Sequence, residues 1–267
     1  MKNILVLIHD DGGQEARLQA ALDLTRSLNG HLTCVDLTII PEVVGDYVGT
    51  SGVLLGEEQE RETKNRRTLL ERLSHEDVSY DWIDRTGFVA QTIEQLAGLT
   101  DLIVLGREKS GTLFPHMVDV IGDLLFRLAK PILIVPPEKR LLNLCGQVLI
   151  AWDGSRNAEA ALQAAIPLLG SAENVTLFYV DDGSLIIPVE EAARYLSRHR
   201  IEPMIRREAV GTGRPGKAIL TEADRGQYDL IVMGAYSRSL TIETIFGGAS
   251  RSLLEQATTP VFMAHRA

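Results

Sequence analysis

Cysteine is scarce: Cys34 and Cys145 are the only two among 267 residues, and neither has a His or Cys at ligand spacing. That excludes a disulfide framework and a sequence-local zinc site, and it fits a reducing cytoplasm. Long apolar runs are absent too. No stretch approaches the roughly 18 uninterrupted apolar residues that a membrane span needs, so no membrane partner is expected. Residues 4–8 are apolar, but His9 and Asp10 follow at once. That run is too short for a signal-peptide core and no small-residue cleavage site follows, so it reads as a buried first strand. Positive charge is in deficit, with 27 Lys and Arg against 36 Asp and Glu and a net charge of -9. An extended nucleic-acid surface is thereby excluded, because phosphate backbones need a positive field. The basic cluster at residues 64–67 lies in a Glu-rich helical stretch and reads as a solvated face. Catalytic signatures are also missing. There is no G-x-S-x-G elbow and no H-E-x-x-H zinc helix. The six histidines are scattered and read as surface or packed residues. Asp10 and Asp11, adjacent and without further ligands, read as a turn. No catalytic residue and no metal ligand is assigned.

What the chain does have is a repeat of itself. Residues 4–10 correspond to 147–153, both apolar runs ending in Asp. Residues 87–93 correspond to 213–219, 101–106 to 229–234, and 124–135 to 253–264. Four correspondences in the same order make this a duplication, with domains at 1–138 and 145–267. Strands are expected at about 3–9, 31–38, 78–85, 101–106 and 131–136 in the first copy. In the second they are expected at about 146–152, 174–180, 203–210, 229–234 and 260–265. Alternation with helical patterns gives an α/β fold. It consists of two tandem doubly wound parallel-sheet domains, Rossmann-like and five-stranded, with one sheet expected per copy. Runs such as Leu102-Ile103-Val104-Leu105 are apolar on both faces, as a sheet covered by helices requires. Residues 136–146 read as the linker. Residues 41–56, with four glycines, read as a mobile loop whose apolar members mark an interface, an apolar pocket or ordinary burial.

In open parallel sheets, ligands collect at the carboxyl ends of the strands where strand order reverses. In the second copy the fourth strand ends at Gly234, followed by Ala235, Tyr236, Ser237, Arg238 and Ser239. Gly247, Gly248, Ala249 and Ser250 then open the last helix. Glycines let a ligand approach the backbone, the helix N-terminus adds a positive dipole end, and Ser250 or Ser252 offers a hydroxyl. Together these suit phosphate oxygens. Gly247 and Gly248 read equally well as a turn, and Ser250 as an N-cap.

Asp153-Gly154-Ser155 after the strand, and the Gly234…Gly247-Gly248 spacing, resemble the universal stress proteins. ATP-binding members of that family carry G-x2-G-x9-G-[S/T] here. In this frame Ser237 stands at the second glycine and Gly248 at the Ser/Thr. The resemblance covers both halves, as in tandem members. It implies a cytoplasmic stress-response binding or regulatory protein, with the two domains packed as an intramolecular pseudo-dimer and scope for a homodimer. It also implies an adenine nucleotide such as ATP, or another small anion, in the C-terminal domain only. Asp153 would lie beside the ribose or adenine, and Val180 would offer backbone atoms to the base. Gly234, Ser237, Gly247, Gly248 and Ser250 would surround the phosphates, with Arg238 assisting. In the first copy Val118 and Asp119 stand where Gly247 and Gly248 stand in the second, so its nucleotide loop is degenerate.

A rival reading comes from residues 211–217, which satisfy the G-x4-G-K part of a P-loop and would make the chain a nucleotide-hydrolysing enzyme through Gly216-Lys217. The next residue is Ala218, so the Mg²⁺-binding hydroxyl is missing, and Pro215 suits simple helix initiation. A third reading is a ligand-free scaffold.

Overall fold

The computed structural model describes residues 1–40, 51–107, 115–139, 141–181, 183, 185–209, 215–236 and 248–266. The first half runs β1 (Asn3–Ile8), α1 (Gln14–Leu28), β2 (His31–Ile39), α2 (Ser51–Leu73), β3 (Ser79–Gly87), α3 (Val89–Leu96), β4 (Leu102–Gly106), α4 (Met117–Leu128) and β5 (Ile132–Val135). The second runs β6 (Gln147–Ala151), α5 (Arg156–Leu169), β7 (Asn174–Asp181), α6 (Val189–Arg198), β8 (Met204–Ala209), α7 (Pro215–Gly226), β9 (Leu230–Gly234), α8 (Ala249–Gln256) and β10 (Val261–Ala264). Every expected strand forms, because the apolar β-branched runs that mark them are the ones a two-sided core needs.

The sheet is where expectation and structure part. Instead of one sheet per copy, all ten strands form one, in the order β3-β2-β1-β4-β5-β10-β9-β6-β7-β8. Within each half neighbouring strands are parallel, and the last strands of the two halves, β5 and β10, meet antiparallel with Phe262 opposite Leu133. The duplication is intact, since the order is the same in both halves when read outward from this join. Fusing the edges covers two apolar strands that would each otherwise offer unpaired backbone groups. The outer edges, β3 and β8, are largely exposed and carry charges such as Asp84, Arg85, Arg206 and Arg207, which suits strands that face water.

Strand alternation sorts the core onto two faces. Ile4, Val6 and Ile8 join Val148, Ile150 and Trp152 on the face covered by α1, α2, α5 and α6. Leu5 and Leu7 join Leu149 and Ala151 on the face covered by α3, α4, α7 and α8. Each layer runs without a break across both halves. In the stretch expected to link them, Leu142 and Leu144 are buried, and the Leu142 N–H donates to Asp23 on α1 at 3.1 Å. The loop expected over 41–56 is also corrected in part. Residues 51–56 are the first turns of α2, where Val53 is exposed and Leu54 and Leu55 are half-buried. Two glycines do not prevent a helix when 17 further residues propagate it. Residues 41–50 lie outside the described residues.

Register also corrects the repeat by one position. Asp101 accepts the N–H groups of Lys2 and Asn3, and Asp229 accepts that of Gln147, so Asn3 corresponds to Gln147. Ile4 pairs with Leu102 as Val148 pairs with Leu230. Counted along the strands, His9, not Asp10, therefore takes the place of Asp153.

Candidate functional site

In the second half, pairing of β6 with β9 brings their carboxyl ends side by side and so collects Asp153, Gly234, Tyr236, Gly248 and Ser250 at one edge of the sheet. Asp153 accepts the Ser155 N–H at 3.1 Å, which turns the chain, and the Ser155 hydroxyl then accepts the Ala158 N–H at 3.1 Å and caps α5. Capping thus falls to Ser155, and Asp153 stays half-buried at the strand end. Val180 sits one strand over, where Tyr179, Val180 and Asp181 run on past the last β6–β7 pair, Ala151 with Phe178.

Gly234 has a packing reason to be glycine. A Cβ there would stand 2.4 Å from the Ala158 nitrogen and 2.5 Å from the Asn157 carbonyl carbon, both on the backbone that opens α5. Asn157 completes this contact by donating to the Ala235 carbonyl at 2.7 Å, while its own oxygen accepts the Arg266 N–H at 3.0 Å. Gly248 is the N-cap of α8, at φ 119°, and no described atom lies within 4 Å of where its Cβ would stand. Only glycine adopts that backbone without strain. Ser250 is neither the N-cap nor an unengaged phosphate ligand. Its hydroxyl accepts the Tyr236 N–H at 3.0 Å, tying α8 to the end of β9. Tyr236 itself is held at φ 55° and reaches across to Gly122 on α4, and burial pushes its phenol up to about 12. Ser237, Arg238 and Gly247 lie outside the described residues.

Two residues that sequence reasoning missed close the other side of this edge. The Trp152 indole is buried and donates to the Ile187 carbonyl at 3.1 Å. Gly154, at φ 69°, lets the Ile186–Ile187 backbone come within 3.0 Å of its Cβ position. The glycine directly after Asp153 was the available signal. A groove of about 270 Å³ lies beside Trp152, between α5 and α6, edged by Glu159, Gln163, Glu191 and Arg198.

The P-loop-like residues are used otherwise. Gly216 is the point where α7 meets α8: a Cβ would stand 2.9 Å from Ala249 Cα and 3.0 Å from Ser252 Cβ. Lys217 is exposed on α7, and Gly211 and Gly213 lie outside the described residues.

The first half fills the same edge with side chains. Arg17, 1% exposed, donates to the carbonyls of Leu7 and His9 at 2.7 and 3.1 Å and to both oxygens of Asp11. Its guanidinium lies 2.6 Å from where a Gly106 Cβ would stand, so it occupies the space that the α5 backbone takes against Gly234. Asp11 forms the expected turn by accepting the Gly13 N–H at 2.8 Å. His9 is buried against two carboxylates from α2, with Nδ1 2.8 Å from Glu62 and 3.5 Å from Glu58. Burial would raise the Glu62 carboxyl, but hydrogen bonds from His9 and the Asp10 amide hold it below its ordinary value. Burial raises Glu58 despite His9 and Arg61 beside it, and carries Asp36 up to about 7 with Glu62 and Asp84 adding to the effect. Val118 and Asp119 are not a loop at all, being in the first turn of α4. There Asp119 faces His116 at 3.1 Å and Arg251 of α8 at 3.5 Å.

Residues 146–265 match the model of the universal stress protein family. A universal stress protein of Synechocystis sp. is 25% identical over 187 residues, which is 66% of this chain and 62% of that protein, under two thirds of its length. Among solved structures, a universal stress protein from Archaeoglobus fulgidus superposes with a TM-score of 0.78 at 18% identity, covering 99% of this chain and 97% of that one. A Pseudomonas aeruginosa structure described as a universal stress protein gives 0.65 at 18% identity, over 99% and 93%. At such identities these likenesses speak to the fold, and they run through both halves. Residues 146–265 thus carry a universal stress protein family domain, and the first half lays out the same strand order again.

Proposed function

We propose that this chain is a cytoplasmic stress-response binding protein that takes an adenine nucleotide at the carboxyl edge of β6 and β9, and only there. The observation that carries this reading is Gly248. It opens α8 at a positive φ, with no described atom within 4 Å of its Cβ position, beside the strand end that carries Asp153. Backbone N–H groups at the start of α8 attract phosphate oxygens through the helix dipole. Asp153 and the overrunning end of β7 at Val180 then stand on the side where a ribose and base would lie. Ser237, Arg238 and Gly247 complete the phosphate cradle in this reading, and Gly234 and Ser250 shape it by holding α5 and α8 in place. In the first half Arg17 and His9 fill the corresponding space, which leaves a single nucleotide per chain. Control then comes from a change in shape or partner on binding.

Titration of the full chain with ATP and AMP, alongside native mass spectrometry of freshly purified protein, tests this. Wild type should bind one nucleotide per chain. Gly248→Asp, which places a carboxylate at the helix N-terminus, should weaken binding by more than about 100-fold. Lys217→Ala should leave it unchanged. Loss of binding in Lys217→Ala alone would transfer the site to the P-loop-like segment, and a wild type that binds neither nucleotide would leave a ligand-free scaffold.

A further inference from the structure

The cluster around His9 lies outside the nucleotide reading and calls for its own explanation. His9, Glu58 and Glu62 are 1%, 3% and 3% exposed, and their candidate ligand atoms all lie within 4.8 Å of one another. Glu58 and Glu62 are one helical turn apart on α2, so both carboxylates leave the same face and meet the imidazole at the end of β1. We propose that this cluster is a divalent transition-metal site, with one imidazole nitrogen and two carboxylate oxygens as its protein ligands.

Three observations converge on a cation of this class. The first is spacing. Ligands about 2.1 Å from a metal stand roughly 3.0–3.4 Å from each other, and His9 Nδ1 is 2.8 Å from Glu62 Oε1 and 3.5 Å from Glu58 Oε1. A shift of a few tenths of an ångström converts one arrangement into the other. The second is an unmet acceptor. Glu58 Oε2 is held by Arg61 at 2.5 Å, whereas its Oε1, buried and turned toward His9, takes no hydrogen bond from a described residue. A buried carboxylate oxygen without a donor is costly, and a metal ion satisfies it. The third is charge. Asp36, also buried, adds a third carboxylate close enough to Glu62 to be felt electrostatically, and its Oδ1 likewise takes no hydrogen bond from a described residue. Mixed imidazole and carboxylate ligation suits zinc, manganese or iron rather than calcium or magnesium, which favour oxygen alone.

Zinc is the probe. Full-length protein, stripped with a chelator and dialysed against micromolar Zn²⁺, should retain one ion per chain and melt at a higher temperature than the stripped form. Glu58→Gln and Glu62→Gln, nearly unchanged in shape, should each weaken zinc binding by more than about 100-fold, beyond the loss of an outer-sphere partner. Asp81→Asn, which alters the exposed His31–Asp81 pair, should change nothing. Crystals of wild type soaked in Zn²⁺ give a readout that needs no variant. An anomalous peak between His9, Glu58 and Glu62 sustains the site. Zinc retained below stoichiometry, a peak only elsewhere, or Gln variants that bind as tightly as wild type would reduce the cluster to a buried ion pair. Nucleotide is absent from every arm, so failure here leaves the reading of the second half untouched.

Discussion

At the carboxyl end of β1 the first half places His9, with Arg17, Glu58 and Glu62 around it. At the same point on β6 the second half places Asp153, with Gly154, Asn157 and the start of α8. Strands and layers are shared, and the divergence is confined to what stands on the strand ends. In the second half a helix backbone presses on Gly234, and no described atom stands within 4 Å of the Gly248 Cβ position. In the first, a guanidinium lies where that backbone would be and α2 supplies the carboxylates. Strand interiors are constrained by packing on two faces at once, whereas strand ends answer only to what meets them. A duplicated fold can therefore keep its strands and layers while one copy fills its strand ends with charged side chains.

The sharpest way to break this comparison is Arg17→Ala. It strands Asp11 and the carbonyls of Leu7 and His9 in a buried place, and should cost about 3–5 kcal/mol. Asn157→Ala, which removes the fastening of the half-buried second edge, should cost about 1–3 kcal/mol. Urea denaturation of the two variants measures both, and equal losses would mean that Arg17 does not close its edge. Next in size is the glycine pair. Gly234→Ala meets immovable backbone and should cost about 1–3 kcal/mol, while Gly106→Ala meets only the end of the Arg17 side chain and should cost less. The reverse order would show that the α5 contact yields easily. Smallest is Asp119→Asn, which cuts the half-exposed pair between α4 and α8. It should cost under about 1 kcal/mol and lose even that at high salt. A larger, salt-insensitive effect would make Asp119 a support of the join between halves.

The strands were legible because runs such as Leu102–Leu105 and Leu230–Met233 are apolar on both faces, and that pattern has few other homes. Gly248 and its helix were legible too, since glycine before a helical stretch is a local signal. His9, Glu58 and Glu62 were not. Their partners lie about fifty positions apart, and α2 begins inside a stretch whose glycines suggest a loop. The contacts of Ser250 with Tyr236 and of Gly234 with the start of α5 were not legible either: a hydroxyl and a missing Cβ look alike in sequence whether they serve a ligand or a neighbouring helix.

Taken alone, the amino-acid order determined two copies of one α/β pattern, the identity of the strands, and the copy that keeps glycine at its last helix. These are short-range matters of periodicity and residue type. Only the tertiary structure decided that the copies share a single sheet through β5 and β10, that His9 stands in the place of Asp153, and that the first half's edge is filled with charge. Each of those depends on which distant segments pack together, and packing is set by the shape and burial of whole surfaces rather than by neighbours along the chain.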